Sequence, residues 1–480
     1  MNAAGSLLAA NLTPQRSGRI YLRTPERDYS YDEVAMLSDA AGAGLLAAGL
    51  RTGDRVLLAT GDCVEFVATF WGAIKAGLVV APFAQRTPAD DLAFIVRDSG
   101  ARALVRDHVS AAASAGADLS GLVVLDVGST WTDVCTPGAS LDESDREPED
   151  IALWLYTSGT TGRPKAVMHS HRSLAAAPLG FAEHVVGLEP GDIVFSSSRF
   201  TFTYGLVNGV VLPTVAGASV IVDPNPAVFV REGLERTRPT IWCGFPSLFA
   251  SLVKQDAVPL PETLRFIRSA GERLPVELFE RFRDVYGREI INGLGVTEAL
   301  HVSCNRPGAV VPASVGAPVP PCEVQVRGEA GSAGELWVRT PTAFSGYWGD
   351  PALTARMFDG EWMRTGDLVR IEDGLLYHEG RLGDMVKIGA EWVSPSEVED
   401  VLRSHPDVHD AAVVPTEGKH GVTTLTAYVA TERNGGALAS ELQRLCRSRL
   451  PLAKVPASFE VVDELPRSDA GKLQRFRLRQ

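Results

Sequence analysis

Residues 156–165 read YTSGTTGRPK, a polar loop that directly follows the apolar run IALWL at 151–155. The apolar run has the length and composition of a buried strand. Gly159 and Gly162 allow the backbone to turn its N–H groups towards an anion, and Lys165 adds a positive charge. The loop is therefore suited to bind a polyphosphate, although it lacks the G-x-x-x-x-G-K-[ST] spacing of a Walker A loop.

Helix and strand patterns alternate on both sides of this loop. They cover residues 31–48, 54–60, 64–76 and 78–82, and they return within 193–222 and 240–295. A β–α–β order of this kind predicts an α/β fold with parallel sheets covered by helices. Residues 331–371 instead carry short strands separated by turns, which predicts a smaller antiparallel or barrel-like subdomain.

The last part of the chain has the pattern of a separate small domain. Ser394 is placed to cap a helix, and Glu397 is placed to complete a capping box. Two strand patterns and a helix pattern follow, at 408–415, 423–429 and 439–450. We therefore predict a large N-terminal domain at 1–382, a small α+β domain at 384–480 and a boundary near Gly383.

The composition limits the classes of function. Hydrophobic residues make up 45% of the 480 residues and charged residues 22%, which excludes a disordered or fibrous chain. The net charge of −13 argues against broad binding of nucleic acids or anionic membranes. No two of the six cysteines form a C-x-x-C pair, so we expect reduced thiols. Because the N-terminus has no signal-peptide pattern, these features together predict a cytoplasmic protein.

Four further motifs follow the first loop in order. They are NGLGVTE at 292–298, RTGDL at 364–368, GRLGDMVKIGAEWVSP at 380–395 and LPRSDAGKLQR at 465–475. Together with YTSGTTGRPK, they resemble the motifs of the adenylate-forming superfamily, which includes acyl- and aryl-CoA ligases, adenylation domains and luciferases. The resemblance covers almost the whole chain. It implies an ATP-dependent enzyme with a large adenylation domain, a small mobile C-terminal domain and a hinge near Gly383.

The resemblance assigns most of the motif residues to ATP. A carboxylate at Glu298 can hold Mg²⁺, and the Thr297 hydroxyl can donate to a phosphate. Asp367 can accept the ribose hydroxyls, and Arg381 can reach the ribose or a phosphate. The expected ATP-binding residues are Thr157, Ser158, Gly159, Thr160, Thr161, Gly162, Lys165, Gly271, Glu272, Asn292, Gly293, Leu294, Gly295, Asp367 and Arg381.

The same resemblance identifies the expected catalytic residues. It implies that Lys472 bridges the carboxylate oxygen of the acid and the α-phosphate during adenylation. A compact ammonium group is suited to stabilise the charge that develops there. The expected catalytic set is Lys472, Thr297 and Glu298, and Glu298 is also the expected metal ligand.

Residues 200–206, FTFTYGL, align with the acid-binding segment of the superfamily. They include no acidic residue to bind an ammonium group, so α-amino acids are disfavoured. The neighbouring sequences are closer to benzoate-type aryl-CoA ligases than to other branches. The expected substrate-binding residues are Phe202, Thr203, Tyr204, Gly205, Phe245, Ser269, Ala270 and His301. Since benzoate ligases usually carry Ala where Thr203 stands, this hydroxyl favours an acid whose ring bears a hydroxyl or amino group.

A second step is also implied, in which a thiol attacks the acyl-adenylate. Lys387, Gly389 and Glu391 are then expected along the thiol channel, with Gly383 at the hinge. Coenzyme A is the expected acceptor, and the products are aryl-CoA, AMP and pyrophosphate. A carrier protein and a non-thiol acceptor stay open as alternatives, and the chain is expected to be a monomer or a homodimer.

Two other classes of function compete with an active ligase. One is a nucleotide-binding homologue without catalysis, but every motif residue named above is present. The other is a metalloenzyme built on His169 and His171. Two histidines two positions apart, with no third ligand nearby in the sequence, support this second class weakly.

Overall fold

The computed structural model describes residues 1–136, 138–158, 164–226, 230, 233–254, 259–329, 333–388, 391–417, 423–433, 436–467 and 473–478. The strands are β1 Ile20–Arg23, β2 Asp28–Ser30, β3 Arg55–Ala59, β4 Val79–Pro82, β5 Ala103–Arg106, β6 Val123–Asp126, β7 Ile151–Ser158, β8 Pro164–Ser170, β9 Ile193–Ser196, β10 Ser219–Ile221, β11 Ile241–Gly244, β12 Phe266–Ser269, β13 Ile291–Val296, β14 Leu300–Cys304, β15 Ala317–Pro318, β16 Glu323–Arg327, β17 Gly334–Arg339, β18 Gly346–Tyr347, β19 Phe358–Asp359, β20 Trp362–Glu372, β21 Leu375–Arg381, β22 Val386–Ile388, β23 Glu391–Val393, β24 Asp410–Glu417, β25 Thr423–Ala430 and β26 Ser458–Val462.

The helices of the described residues are α1 Ala3–Leu7, α2 Tyr31–Ala47, α3 Val64–Lys75, α4 Ala89–Ser99, α5 His108–Ala113, α6 Thr130–Val134, α7 His171–Ala176, α8 Leu179–Phe181, α9 Thr203–Gly205, α10 Leu234–Thr237, α11 Pro246–Lys254, α12 Val276–Tyr286, α13 Pro351–Met357, α14 Pro395–Arg403 and α15 Gly436–Arg449. Short 3₁₀-helices lie at Ala9–Asn11, Leu212–Val215, Leu382–Asp384, Leu452–Lys454 and Arg475–Leu478. Short π-helices lie at Ala182–Val186 and Leu206–Val211.

Two mixed sheets carry most of the N-terminal part of the chain. The seven-stranded sheet has the order β18-β8-β7-β4-β3-β5-β6, and the nine-stranded sheet has the order β15-β14-β13-β12-β11-β9-β10-β1-β2. Central neighbours are parallel, and antiparallel strands lie at one end of the first sheet and at both ends of the second. Parallel strands require crossover connections, which the helices between them provide. The predicted α/β class is confirmed.

Local sequence explains where these elements begin. The predicted strand at 54–60 is β3, and its residues Val56, Leu57 and Leu58 are fully buried, as an apolar run in a parallel sheet should be. Helix α2 begins at Tyr31, directly after Ser30, whose side chain and that of Glu33 form a reciprocal capping box. Such a cap satisfies two of the N–H groups that the first helical turn leaves without partners.

The chain divides into two compact units. Unit 1 comprises Met1–Leu274, Phe279–Val324 and Val338–Met363, and unit 2 comprises Pro275–Leu278, Gln325–Trp337 and Arg364–Gln480. The segments between 323 and 381 include a five-stranded sheet of order β16-β17-β20-β19, with β21 paired to β20. This is the smaller sheet predicted from the short strands at 331–371. The functional boundary near Gly383 stays a prediction.

Within unit 2, a three-stranded sheet of order β24-β25-β26 packs with α14 and α15. Val398 and Leu402 of α14 are fully buried in this core. The capping box predicted for α14 is wrong. The Ser394 hydroxyl donates to Glu379 O and lies 2.7 Å from Ser396 Oγ, but it caps no backbone N–H of the first helical turn. Glu397 pairs with Lys454.

All six cysteines are free thiols. Five of them are buried, and Cys63 is half-buried. Burial raises the pKa of every one of these thiols above its ordinary value. Among the described residues, none of the helices combines the length and the apolar character needed to cross a bilayer.

Candidate active site

The phosphate-loop motif lies on a β-hairpin of unit 1. Strands β7 and β8 are antiparallel, and Thr157 is paired with Lys165. Ser158 is the last residue of β7, and Lys165 is half-buried near the start of β8. Gly159, Thr160, Thr161 and Gly162 lie outside the described residues. The hairpin therefore defines the two ends of the predicted phosphate loop.

The NGLGVTE motif forms β13 and the tight turn into β14. A Cβ on Gly295 would lie 2.4 Å from Leu300 O, and a Cβ on Gly293 would lie 2.8 Å from Ser303 O. The motif therefore needs glycine at both positions, because the two strands approach too closely for a side chain. Asn292 is buried and donates to Ser314 O at 3.3 Å, while Leu294 is half-buried.

Thr297 and Glu298 follow β13 and are held by residues from distant segments. Tyr347 donates its hydroxyl proton to Glu298 Oε1 at 2.7 Å. Thr203 Oγ1 lies 3.3 Å from Thr297 Oγ1, so the hydroxyl of Thr203 already has a protein partner. This contact joins the predicted acid-binding segment to the predicted phosphate-binding threonine.

His169 fixes the backbone of Thr297. Burial lowers the pKa of His169 to about 4, so the ring is neutral at pH 7. A carbonyl oxygen only accepts, so the proton is on Nε2, which donates to Thr297 O at 2.8 Å. Nδ1 lies 2.8 Å from Ser173 Oγ, and the Ser173 hydroxyl donates to Thr342 O at 2.9 Å. The neighbouring His171 ring accepts from Ala3 N through Nδ1, so the two rings make separate contacts in the protein.

Gly271 and Glu272 directly follow the predicted acid-binding residues Ser269 and Ala270 in the chain, and Glu272 contacts the helix that follows Phe245. Glu272 accepts from the backbone N–H and the hydroxyl of Ser247, both at 3.1 Å. Gly271 has a φ of +86°, a left-handed conformation that favours glycine. Phe245 is half-buried directly before α11. The Glu272 carboxylate therefore holds the first turn of α11.

The candidate acid pocket contains aromatic and small residues. Phe202 precedes α9, which contains Thr203, Tyr204 and Gly205. Ser269 and Ala270 are buried at the end of β12. His301 on β14 packs against Phe181, with ring centroids 4.6 Å apart. These side chains together offer flat apolar surfaces beside small ones.

Arg268 is buried among these pocket residues, with 1% of its surface exposed. Its Nη1 donates to Asn208 Oδ1 at 2.9 Å and to His301 Nε2 at 3.0 Å. His301 is neutral because burial, and next the charge of Arg268, hold its pKa well below the ordinary value. The guanidinium carbon lies 4.0 Å from the ring centroid of Phe181 and 5.3 Å from that of Tyr204.

Asp367 and Arg381 are paired across the β20–β21 hairpin of unit 2. Asp367 Oδ1 accepts from Arg381 Nε and from His378 Nε2, both at 3.0 Å. Burial alone would raise the pKa of Asp367, but the His378 hydrogen bond and the Arg381 charge outweigh it and lower the pKa. The carboxylate is therefore ionised at pH 7. Its Oδ2 is buried and accepts no hydrogen bond from the described residues.

The residues predicted for the thiol channel and hinge also lie in unit 2. Lys387 is exposed on β22, and Glu391 begins β23. Gly383 lies in the turn Leu382–Asp384, and no atom lies within 4 Å of a Cβ built on it. Gly389 and Lys472 lie outside the described residues.

Four residues of the candidate site were not predicted: His169, Tyr347, His378 and Arg268. The first three contact predicted residues from another strand or segment, and no motif spacing marks them. Arg268 could have been singled out from the sequence, because it is a charged residue inside the apolar strand pattern FIRS. A charge at such a position needs a structural or functional reason.

Comparison with known proteins identifies the family. A profile of the AMP-binding enzyme family matches residues 9–348, and a profile of the AMP-binding enzyme C-terminal domain matches residues 397–472. Benzoate–CoA ligase of Thauera aromatica is 34% identical over an alignment that covers 100% of this chain and 95% of that protein. A crystal structure of a benzoate CoA ligase from Burkholderia xenovorans has a TM-score of 0.92 at 31% identity and covers 100% of both chains.

A second crystal structure, of the anthranilate CoA ligase AuaEII with anthranoyl-AMP, has a TM-score of 0.91 at 31% identity. The match covers 100% of this chain and 96% of that chain. The ordered motifs, the two sheets and these relatives agree along the full length of the sequence. The chain therefore belongs to the AMP-binding enzyme family of adenylate-forming enzymes, with benzoate-type aryl-CoA ligases among its relatives.

Proposed function

We propose that this chain is an AMP-forming ligase that activates an aryl carboxylic acid of the benzoate class and transfers it to the thiol of coenzyme A. The observation that carries the proposal is the character of the candidate acid pocket in a member of this family. Phe181, Tyr204 and His301 supply aromatic side chains, and Ser269 and Ala270 of the same predicted set are small and buried. A flat ring packs well against such surfaces.

The first step forms the acyl-adenylate. A carboxylate oxygen of the acid attacks the α-phosphorus of ATP, and pyrophosphate leaves with the electrons of the broken P–O bond. Lys472 is proposed to neutralise the charge that develops between the two reactants, and Thr297 to donate to a phosphate oxygen. Mg²⁺, when bound, neutralises phosphate charge. Glu298 suits that ion because only one of its carboxylate oxygens accepts a described hydrogen bond.

Asp367 is proposed to bind the ribose. Its buried Oδ2 accepts nothing from the described residues, and a buried polar atom needs a partner. A ribose hydroxyl can supply the missing proton. His378 and Arg381 occupy Oδ1 and keep the carboxylate ionised.

The second step transfers the acyl group. The thiol sulfur attacks the carbonyl carbon of the acyl-adenylate, AMP leaves, and the thiol proton is released. Lys387, Gly389 and Glu391 are proposed to lie along the path of the thiol, and Gly383 is proposed to act as the hinge.

The test is AMP release from MgATP with benzoates, cinnamates, short fatty acids and amino acids, each with and without coenzyme A. We expect rapid release with a benzoate, and only when coenzyme A is present. Adenylate formation without turnover on coenzyme A would favour a carrier protein or another acceptor. The absence of AMP release with every aryl acid would contradict the proposal.

Lys472→Ala tests the first step separately. We expect adenylation to fall by about 10²- to 10³-fold, because one charge-stabilising contact in the transition state is lost. Transfer from a synthetic aryl-adenylate to coenzyme A should stay within a few-fold of the wild type. Lys454→Ala, which removes the ion pair with Glu397, is the matched lysine control. Equal adenylation by wild type and Lys472→Ala would exclude the assigned role.

A further inference from the structure

Arg268 is a buried charge whose described partners are all uncharged. Its side chain is one of the largest among the fully buried side chains that the structure describes. Asn208 and the neutral His301 accept from Nη1, and the rings of Phe181 and Tyr204 flank the guanidinium. No carboxylate of the described residues forms an ion pair with it. We call Arg268 and these four neighbours the Arg268 cluster. The cluster therefore carries a net charge of about +1, and it is shielded from water.

The polar groups of the same cluster are also incompletely satisfied. Arg268 Nε has no described acceptor, although it is buried. The buried Tyr204 hydroxyl has no oxygen or nitrogen partner among the described residues, and the thiol of Cys243 lies beside it. Cys243 and Cys304 stay protonated, because burial raises the pKa of each to about 11. These thiols therefore supply no negative charge.

The charge of Arg268 lies next to residues that are predicted to bind the acid. Arg268 directly precedes Ser269 and Ala270 in the chain, and it contacts Tyr204 and His301. All four neighbours belong to the predicted substrate-binding set. A cation at this place is unfavourable unless it receives a partner, because a buried charge loses its hydration and needs hydrogen bonds to replace it.

We propose that Arg268 determines specificity by binding an acceptor substituent on the aromatic ring of the acid, a phenolic hydroxyl or a second carboxylate. A guanidinium only donates hydrogen bonds, so the substituent must accept them. An amino substituent is a poor match because its own N–H groups would face the donors of Arg268. The inference rests on the proposed function and narrows its substrate class to hydroxylated or carboxylated aryl acids.

The test compares kcat/KM for AMP release with benzoate, the hydroxybenzoates, the aminobenzoates and the benzene dicarboxylates. We expect the wild type to prefer at least one acceptor-bearing acid over benzoate and over the matching aminobenzoate, each by about 10-fold or more. Arg268→Met should lower the ratio of that acid to benzoate by about 10- to 100-fold, with benzoate changed by about 3-fold or less. Methionine fills a similar volume, and replacing a buried charge by an apolar residue is often tolerated.

Controls separate specificity from folding. Arg281→Met removes an exposed arginine of α12 and should leave every ratio unchanged. If Arg268→Met is recovered unfolded, Arg268→Lys keeps the charge but loses the planar donor fork, and it should still lower the same ratio. A ratio unchanged in the folded variant would overturn the proposal. An equal loss with all acids would also overturn it, because Arg268 would then serve the reacting carboxylate or the fold.

The experiment distinguishes a wrong role for Arg268 from a wrong proposed function. AMP release from the wild type with several aryl acids, but without preference for an acceptor substituent, would overturn the role of Arg268 alone. The absence of AMP release with any aryl acid would overturn the proposed function, and the inference with it.

Discussion

At the scale of single residues, the Tyr347 hydroxyl holds the candidate metal ligand Glu298. Glu298→Gln should raise the Mg²⁺ concentration for half-maximal adenylation by about 10-fold or more, because a neutral amide is a weaker ligand for a hard cation. Tyr347→Phe should have a smaller effect of the same sign, since the carboxylate remains but is less well oriented. Magnesium titration of the initial rate measures both. Tyr428→Phe on β25 is the control, and equal Mg²⁺ dependence in all four proteins would exclude a metal role for Glu298.

The ribose assignment predicts a second residue-scale effect. Asp367→Asn removes the charge that His378 and Arg381 stabilise, and it turns one acceptor oxygen into a donor. We expect KM for ATP to rise by about 10- to 100-fold. KM for the aryl acid should change little. Asp373→Asn, in the exposed turn of the same hairpin, should leave both values unchanged. An unaltered KM for ATP in folded Asp367→Asn would rule out ribose binding.

Motif residues were predictable because each motif is a short continuous sequence with a recognisable chemistry. Their supporting partners were not predictable for a physical reason. Tyr347 is 49 positions from Glu298, and His169 is 128 positions from Thr297. Only the pairing of strands brings such residues together, and the sequence does not specify those contacts locally. Arg268 differs, because its charge within an apolar strand was visible.

At the scale of elements, the β13–β14 turn depends on close backbone approach. Gly295→Ala should lower the free energy of unfolding by about 1–3 kcal/mol, because the added Cβ would lie 2.4 Å from Leu300 O. It should also reduce adenylation, since Thr297 and Glu298 follow directly. Urea unfolding and AMP release measure the two effects. Gly18→Ala, which meets no atom within 4 Å, is the control, and equal stability of the two variants would contradict this account.

The elements themselves were largely predictable from their periodicity. The predicted patterns at 54–60 and 64–76 correspond to Arg55–Ala59 and Val64–Lys75. The capping box predicted for α14 was wrong because the Ser394 hydroxyl donates to Glu379 O in another segment and lies beside Ser396 Oγ of its own helix. A capping pattern in the sequence shows only which local hydrogen bonds are possible. Here a tertiary hydrogen bond formed in place of the local one.

At the scale of the whole molecule, buried histidines link folding to pH. His169 has a folded pKa of about 4 against an ordinary value of 6.5, so the unfolded chain binds the proton more readily. Its contribution to stability is therefore present above pH 6.5 and is lost as the pH falls towards 4. Asp62 acts in the opposite direction, because burial raises its pKa to about 7 and its protonated form is favoured on folding.

Since these two contributions oppose each other, a variant comparison isolates the histidine. The stability difference between wild type and His169→Gln should fall by about 2 kcal/mol from pH 7 to pH 5. Urea unfolding at both pH values measures it. His108→Gln on the exposed side of α5 should show no such change. A difference that is the same at both pH values would mean that His169 is not neutral in the folded protein.

The overall class of fold followed from the alternation of helix and strand, but the course of the chain through unit 2 did not. Gln325–Trp337 belongs to unit 2, although it precedes residues 338–363 of unit 1 in the sequence. A division of this kind depends on which strands pair, and a linear pattern predicts only continuous domains. The hinge near Gly383 stays a prediction that the two-step reaction can test.

The five buried thiols have a practical consequence for following motion in this protein. A thiol-reactive dye modifies a buried cysteine only when the surrounding segment opens, so labelling rates report local opening in solution. Cys446 lies in the core of unit 2, whereas the other five cysteines belong to unit 1. Mass-resolved alkylation with and without ATP can therefore time the opening of each unit separately, without introducing any probe into the chain.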